Sequence, residues 1–513
     1  MSTITSTNKK DVAIIGLGVS GLAATKAFLQ KGHNVIAFES SLSLGGVWNP
    51  DRSYPGVKTQ SSKDLYRFTD FPMPDSYPEW PSGEQVLAYL NDYADKFNLR
   101  KMFRFGMKVV KMEPRKHQKP GWILSFANVN KNNDSCDDIQ QIEFDFVVVC
   151  TGTCSNPKMI SHPGQDAFID AGGIVKHSSE YKDTLKDDSL KGKKVVIIGG
   201  AKSATDIAVH CTKQDTANVT LLMRRQVWRI PYFVAGKINI KNLLYMRAQE
   251  VQFPSWKLKS SKLLNAMYWL LYPIFWVNFR MLEMILRFQL QFQKYGMSPE
   301  GRIEGSNGAS CSTPIVTEGF FEAIKEGSIH PIHTNVAKYD TKVLVLENGL
   351  KIEADVVIQA TGWTIDFPYF PKKLNQDLFE ESDGLFRLYR FAINPKHPNI
   401  GFVGFNSSFC TVLSSEMISN WLVRYVDGML AKQPSTNEME ITIDRTLDWK
   451  RNMYPAAKSF KGGCIAPFHH LHFDEILDDM GAKKKNNSWF IYPKAELYGA
   501  CLQSAPAYTV TPS

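Results

Sequence analysis

A short apolar run that stops at a glycine turn and passes straight into a helical pattern occurs twice in this chain. No other feature restricts the fold as much. The first copy reads DVAIIGLGVSGLAATKAFL over residues 11–29, followed by the strand-like NVIAFE over 34–39. The second reads KKVVIIGGAKSATDIA over residues 193–208, followed by NVTLLMR over 218–224. Strand, tight turn, helix and second strand make the opening of a βαβ unit, so each copy predicts a parallel sheet with helical cover. Two further apolar runs, FDFVVVCTG over 144–152 and ADVVIQATG over 354–362, end alike at Thr-Gly, as buried parallel strands beside a ligand do. Their positions predict an α/β chain with two Rossmann-like dinucleotide-binding domains, the second inserted into the first. The expected segments are 1–164, 165–330 with an apolar helical insertion at about 240–290, and 331–513.

Size and composition agree with that plan. At 513 residues the chain exceeds what one core supports, and 43% hydrophobic content with 22% charged excludes disordered and fibrous classes. The net charge of +9 favours anionic partners, but the basic residues are scattered, which argues against nucleic-acid binding. Eight cysteines (136, 150, 154, 211, 311, 410, 464 and 501) are too sparse for a disulfide scaffold, and none forms C-x-x-C. The first ten residues carry no apolar signal region, and together these points lead to the expectation of a reduced, cytoplasmic protein. Residues 263–277, LLNAMYWLLYPIFWV, are largely apolar but interrupted by Pro273, with Arg280 and Glu283 soon after. A bilayer span needs about 20 apolar residues. The first expectation is therefore a buried or substrate-facing helical pair, and the second a peripheral contact with an intracellular membrane.

Gly16-x-Gly18-x-x-Gly21 follows a strand, opens a helix, and is followed 23 residues after Gly16 by Glu39. Gly16 permits the turn, Gly18 lets backbone approach a pyrophosphate, and Gly21 lets helix and strand close up. Leu17, Val19 and Ser20 supply the remaining backbone of the cradle, and Glu39 is placed for ribose hydroxyls. The second turn is less regular: Gly199, Gly200, Ala201, Lys202, Ser203 and Ala204 put alanine at the middle and third positions. A methyl at Ala201 crowds a pyrophosphate and displaces the cofactor slightly. The strand beyond ends in Arg224-Arg225, where cations suit a 2′-phosphate, hence NADPH over NADH; solvated surface charge is the plainer alternative. Gly45-Gly46-Val47-Trp48 suits a loop lying against a flat ring. His469-His470-Leu-His472 invites a zinc site, but adjacent histidines converge poorly on one ion and no partner has suitable spacing, so no metal is expected. Cys150 and Cys154 are not a dithiol pair.

These motifs together resemble those of the class B flavin-containing monooxygenases, especially their plant branch. Residues 16–21 match the FAD motif, Gly45-Gly46-Val47-Trp48 the Gly-Gly-x-Trp segment, and Thr69-Asp70-Phe71-Pro72 the Ser-Asp-Phe-Pro stretch. Residues 199–204 match the NADPH motif, 220–224 the strand bearing its arginine, and Ala360-Thr361-Gly362-Trp363 the late Ala-Thr-Gly-Tyr/Trp signature. The identifying string F-x-G-x-x-x-H-[ST]-x-x-[YFW] reads Ala171-x-Gly173-x-x-x-His177-Ser178-x-x-Tyr181, departing at Ala171. The likeness runs from about residue 11 to about 430. Where most of the family has an asparagine beside the flavin, this chain has Thr59-Gln60, an exchange the plant branch shares. The resemblance implies FAD and NADPH as cofactors, O2 and a small molecule as substrates, and Gln60 hydrogen-bonding flavin or nicotinamide ribose. It implies oxygenation of a soft nucleophile, by N-hydroxylation of an amine or amino-acid relative, onward to an oxime in some members, or by S-oxygenation. His177 reads first as packing between the nucleotide domains. A Baeyer–Villiger enzyme, which needs an arginine near the flavin, and a non-oxygenating NADPH oxidase or scaffold remain as alternatives. Oligomeric state is not legible.

Overall fold

The computed structural model describes residues 9–115, 119–129, 139–188, 190–305, 311, 313–484 and 488–506. The first eight residues and Cys136, which entered the reading of compartment and cysteines, lie outside that set. The chain opens with β1 (Asp11–Ile15), α1 (Val19–Gln30), β2 (Asn34–Phe38), β3 (Phe103–Arg104) and β4 (Phe146–Val149). β1 pairs in parallel with β2 on one side and β4 on the other. Both faces of this sheet are covered, which is why β4 is four buried apolar residues without alternation.

A second, five-stranded sheet follows. Its members are β5 (Ile174–His177), β6 (Lys194–Ile198), β7 (Asn218–Met223), β8 (Ile329–His333) and β9 (Val356–Gln359), with α2 (Lys202–Cys211) leaving β6 and α3 (Lys262–Leu290) inserted before β8. The order is β8-β7-β6-β9-β5, parallel throughout. The chain then returns to the first sheet with β10 (Ile393–Asn394) and β11 (His397–Phe402), giving β10-β11-β4-β1-β2-β3. Next, α4 (Thr411–Val426) covers α1, joined to it by a 3.0 Å contact between the Ser20 and Ser415 hydroxyls. Trapped between sheet and α4, α1 buries every residue from Val19 to Phe28, and its alanines allow that close approach.

Two expectations need correction. The run at 354–362 does not belong to the first sheet: β9 lies beside β6 at the centre of the second. The crossing points are a short antiparallel pair, Asn156–Pro157 against Trp363–Thr364, so the second unit occupies about 158–362 rather than 165–330. Both Thr-Gly strand ends look alike because both are buried parallel strands, and sequence alone does not say in which sheet. The apolar segment is likewise not a buried pair. It is one 29-residue helix running through Pro273, long and apolar enough by length and composition to cross a membrane, and only 17% of its most apolar window is buried.

Cys311 and Cys464 are paired as a disulfide across 153 residues, so the expectation of an entirely reduced chain fails there. Such a pair leaves no spacing signature. Cys150, Cys154, Cys211 and Cys410 are free, and burial pushes the Cys150 thiol upward, keeping it protonated and unreactive.

Candidate active site

The first glycine turn is built by close approach. A Cβ on Gly21 would lie 1.9 Å from the Gly16 carbonyl oxygen, so only glycine lets α1 begin against the end of β1. Gly18 faces Gly46 across the turn, where a Cβ on Gly18 would stand 3.4 Å from the Gly46 Cα. Glu39, at the end of β2, accepts the backbone N–H groups of Leu17 and Ser41, both at 2.8 Å. Those bonds fix its carboxylate beside the turn. Val47 and Trp48 continue from Gly46 into a cleft, the Trp48 indole N–H donating to the Tyr66 hydroxyl at 2.8 Å.

The second turn stands at the end of β6. Ala201 precedes α2 and is exposed, with Lys202, Ser203 and Ala204 in the first helical turn. Lys202 donates to Asp206 at 2.6 Å and Thr317 at 3.1 Å. Arg224 and Arg225 are exposed beyond β7, and no carboxylate partner holds either among the described residues. Sequence patterning missed Arg229. It is buried behind the second turn, donates to the Gly200 carbonyl at 2.5 Å, and leaves its other terminal nitrogen unpartnered. Burial lowers it to about 10.

The second turn and the loop that carries Val47 and Trp48, which abuts the first turn through Gly46, open on one cleft of about 330 Å³. Val47, Trp48, Thr59 and Gln60 line one side and Lys202 and Ser203 the other, so these predicted residues are brought together. Glu39 and Arg224 lie apart, at strand ends, where the far portions of two dinucleotides would reach. Gln60 accepts the Ile315 N–H at 3.1 Å, which turns its amide nitrogen free for another acceptor. Thr59 is 1% exposed and its hydroxyl has no partner. A buried orphan hydroxyl in the cleft and a buried cation behind a glycine turn are what a polar ring and a pyrophosphate would satisfy. The residues therefore fit FAD on the first side and NADPH on the second.

Tyr54, also unforeseen, closes the cleft from behind by donating to Asp206 at 2.9 Å, tying the first unit to α2. Arg52 donates to the carbonyls of Cys154 and Ser155 at 2.6 and 3.0 Å and lies over the Trp363 ring. His177 is fully buried on β5 and accepts the Ser179 N–H at Nδ1, while its Nε2–H donates to the Gly362 carbonyl at 3.0 Å. Those bonds hold it at the crossing between the two units, and burial lowers its pKa. No cluster capable of holding a metal occurs among the described residues. His469, His470 and His472 each bond elsewhere, to Pro467, Tyr498 and Asn406.

The Flavin-binding monooxygenase-like family profile matches residues 9–498. The chain belongs to that family. It is a monooxygenase that uses FAD and NADPH, with O2 and a small molecule as substrates. Among this family's members, probable flavin-containing monooxygenase 1 of Arabidopsis thaliana is 33% identical over 522 residues, covering 95% of each chain. Flavin-containing monooxygenase 5 of Rattus norvegicus is 28% identical, covering 87% of this chain and 78% of its own. The S-allyl-L-cysteine S-oxygenase of Allium sativum shares the fold with TM-score 0.61 and 18% identity, over 96% of this chain and 92% of its own. A closed cyclohexanone monooxygenase shares it with TM-score 0.64 and 18% identity, over 97% of each.

Proposed function

We propose that this flavin monooxygenase oxygenates a soft nucleophile: a small amine or amino-acid-derived nitrogen by N-hydroxylation, or a sulfide by S-oxygenation. Bound FAD supplies the activation of O2, with NADPH as the electron source. The protein's share is positioning and exclusion of water. Gln60 offers a neutral amide donor, oriented by Ile315, to the cofactor or to its oxygenated substrate. A nucleophilic nitrogen or sulfur needs no protein base, and among the described residues no acid–base pair lines the cleft.

The observation that carries this reading is the state of the cleft's cations. Baeyer–Villiger chemistry needs a cation free to hold developing negative charge. Arg52 is fixed through its Nη2 by two carbonyls and lies over the Trp363 ring, Lys202 is paired with Asp206, and Lys58 faces Glu318 at 3.2 Å. The test is turnover of the FAD-loaded protein with NADPH and isotopically heavy O2, against candidate amines, sulfides and ketones. Product gaining one heavy oxygen from amine or sulfide is expected. Oxygen insertion into ketones alone, or uptake ending wholly as hydrogen peroxide, overturns the proposal.

We also propose that the enzyme works against an anionic phospholipid surface, through α3. Its packed stripe includes Tyr268, Phe279, Leu282, Leu286 and Leu290, and Tyr268 donates to the Gln252 carbonyl. The opposite stripe, Leu263, Met267, Leu270, Ile274, Val277, Met281, Met284 and Phe288, is equally apolar yet exposed, reaching 79% at Leu270 and 86% at Phe288. Because Tyr268 and the C-terminal stretch from Phe279 to Leu290 are packed against the protein, the helix lies on a surface rather than crossing it. Exposed Leu264, Trp269, Leu271 and Trp276 widen the face beyond the narrow, charge-flanked seam of a helix zipper. Lys257, Lys262, Arg287 and Lys294 around the helix have no carboxylate partner among the described residues, which suits anionic lipid. Flotation with phosphatidylserine-containing vesicles should carry wild type and leave Leu270→Glu/Ile274→Glu behind. Equal failure of both, or dimerisation through α3 by sedimentation, overturns it.

A further inference from the structure

The loop beyond β7 carries Arg224, Arg225 and Arg229 and turns them to opposite sides: the first two are exposed, and Arg229 is 2% exposed. Its neighbours fix that inward course. Trp228 is fully buried and donates its indole N–H to the Gly301 carbonyl at 3.2 Å, and Ile230 forms an isolated bridge with Ile315. The Arg229 guanidinium stands over the Phe320 ring, 5.3 Å from its centre, donates through Nη2 to the Gly200 carbonyl, and leaves Nη1 without a partner. No ion pair holds it among the described residues. Asp206, the acid whose charge reaches it, is spent on Tyr54, Lys202 and Thr317. Burial lowers Arg229 only to about 10, so it carries a full positive charge at neutral pH. A buried cation without a counter-charge is costly, and an anion brought to the turn would offset that cost.

The bond to Gly200 also sets the turn. In a trans peptide the carbonyl and the following N–H point in opposite directions, and the Gly200–Ala201 bond is trans. With the Gly200 carbonyl drawn inward to Arg229, the Ala201 N–H points outward, and it has no acceptor among the described residues. A flipped peptide would present an oxygen on that side, which repels phosphate. The Ala201 methyl adds a second requirement. It keeps a pyrophosphate from the close approach that glycine would allow. Hydrogen bonds weaken steeply with distance, whereas attraction to a full charge falls off slowly.

We propose that Arg229 is a positioning residue for the NADPH pyrophosphate, holding the Gly200–Ala201 peptide with its N–H outward and supplying positive charge from behind the alanine-bearing turn. It acts without touching the cofactor, because its guanidinium is buried and forms no part of the cleft wall. Exposed Arg224 is left to serve the 2′-phosphate, so the two arginines divide the anionic groups of NADPH between them.

The test is calorimetric binding of two ligands to the oxidised FAD-loaded protein, without turnover. One is NADP+; the other is 2′-AMP, which carries the 2′-phosphate but no pyrophosphate. Arg229→Met should weaken NADP+ about tenfold or more, as for the loss of one charge near an anion inside a protein, and leave 2′-AMP unchanged. Arg229→Lys, which keeps the charge and a donor, should recover most of the lost affinity. In turnover the loss in Arg229→Met should appear in KM for NADPH rather than in kcat. Unchanged NADP+ affinity in Arg229→Met, equal loss of both ligands, or Arg229→Lys as weak as Arg229→Met overturns the assignment. Should Arg229→Met fail to retain FAD, Arg229→Gln, which removes the charge and keeps a donor, is read with the same two ligands and the same expectations.

Discussion

Gln60 makes one bond within the fold and, on the proposed function, one that the cofactor would complete. Its carbonyl is engaged by Ile315, so the amide nitrogen is presented into the cleft in a fixed direction. Gln60→Leu keeps the bulk and removes both bonds. Oxygenated product per NADPH consumed should fall by roughly tenfold or more, with the deficit appearing as hydrogen peroxide. Unchanged coupling would show that the carboxamide does nothing specific. Arg224 stands exposed where the far end of NADPH would lie. Arg224→Ser should raise KM for NADPH about tenfold and leave KM for NADH unaltered, since a 2′-phosphate is the group that needs the cation. Arg224 was legible because it ends a strand after a glycine turn. Arg229 was not, because its role comes from burial behind the turn, which no local pattern encodes.

At the level of elements, two helices behave unlike their sequence signatures. α3 reads as buried because it is apolar on every side, and the structure leaves one of those sides uncovered. The second helix, α5 (His469–Asp479), reads as a ligand cluster but places its three histidines in separate buried hydrogen bonds. Its N-terminus is capped by Glu250, which accepts from the backbone of His470 and Leu471. Burial lowers all three imidazoles from 6.5, His469 to about 4. The folded chain thus declines protons that the unfolded chain binds below 6.5, so this stability is fully present above 6.5 and is lost as pH falls toward 4. Glu250, raised to about 8 by burial, acts in the opposite sense, losing stability as pH rises from 4.5 through 8. With three imidazoles against one carboxyl, thermal midpoints should drop between about pH 6.5 and about pH 4.5, less steeply in His469→Asn. Parallel slopes would contradict this.

Across the whole molecule, the cleft exists because one unit is inserted into the other through paired crossing strands and latched by side chains from both. Tyr54 of the first unit reaches Asp206 on α2, and Asp206 also accepts from Lys202 and Thr317. Tyr54→Phe should cost about 1 kcal/mol of unfolding free energy, read by denaturant titration, and raise KM for NADPH, read by steady-state kinetics. A stability loss with unchanged KM would confine Tyr54 to packing. The disulfide between Cys311 and Cys464 closes the same junction from the C-terminal side.

By itself the sequence determined the two glycine turns, the sheet type around each and the order of the two βαβ units, because these depend on contacts within some thirty residues of chain. Only the tertiary structure decided which sheet receives the strand at 356–359, which cysteines meet, which side of α3 stays bare, and that Arg229 lies behind the second glycine turn. Each of those depends on residues far apart in sequence being brought together by packing, and neither periodicity nor spacing carries that information.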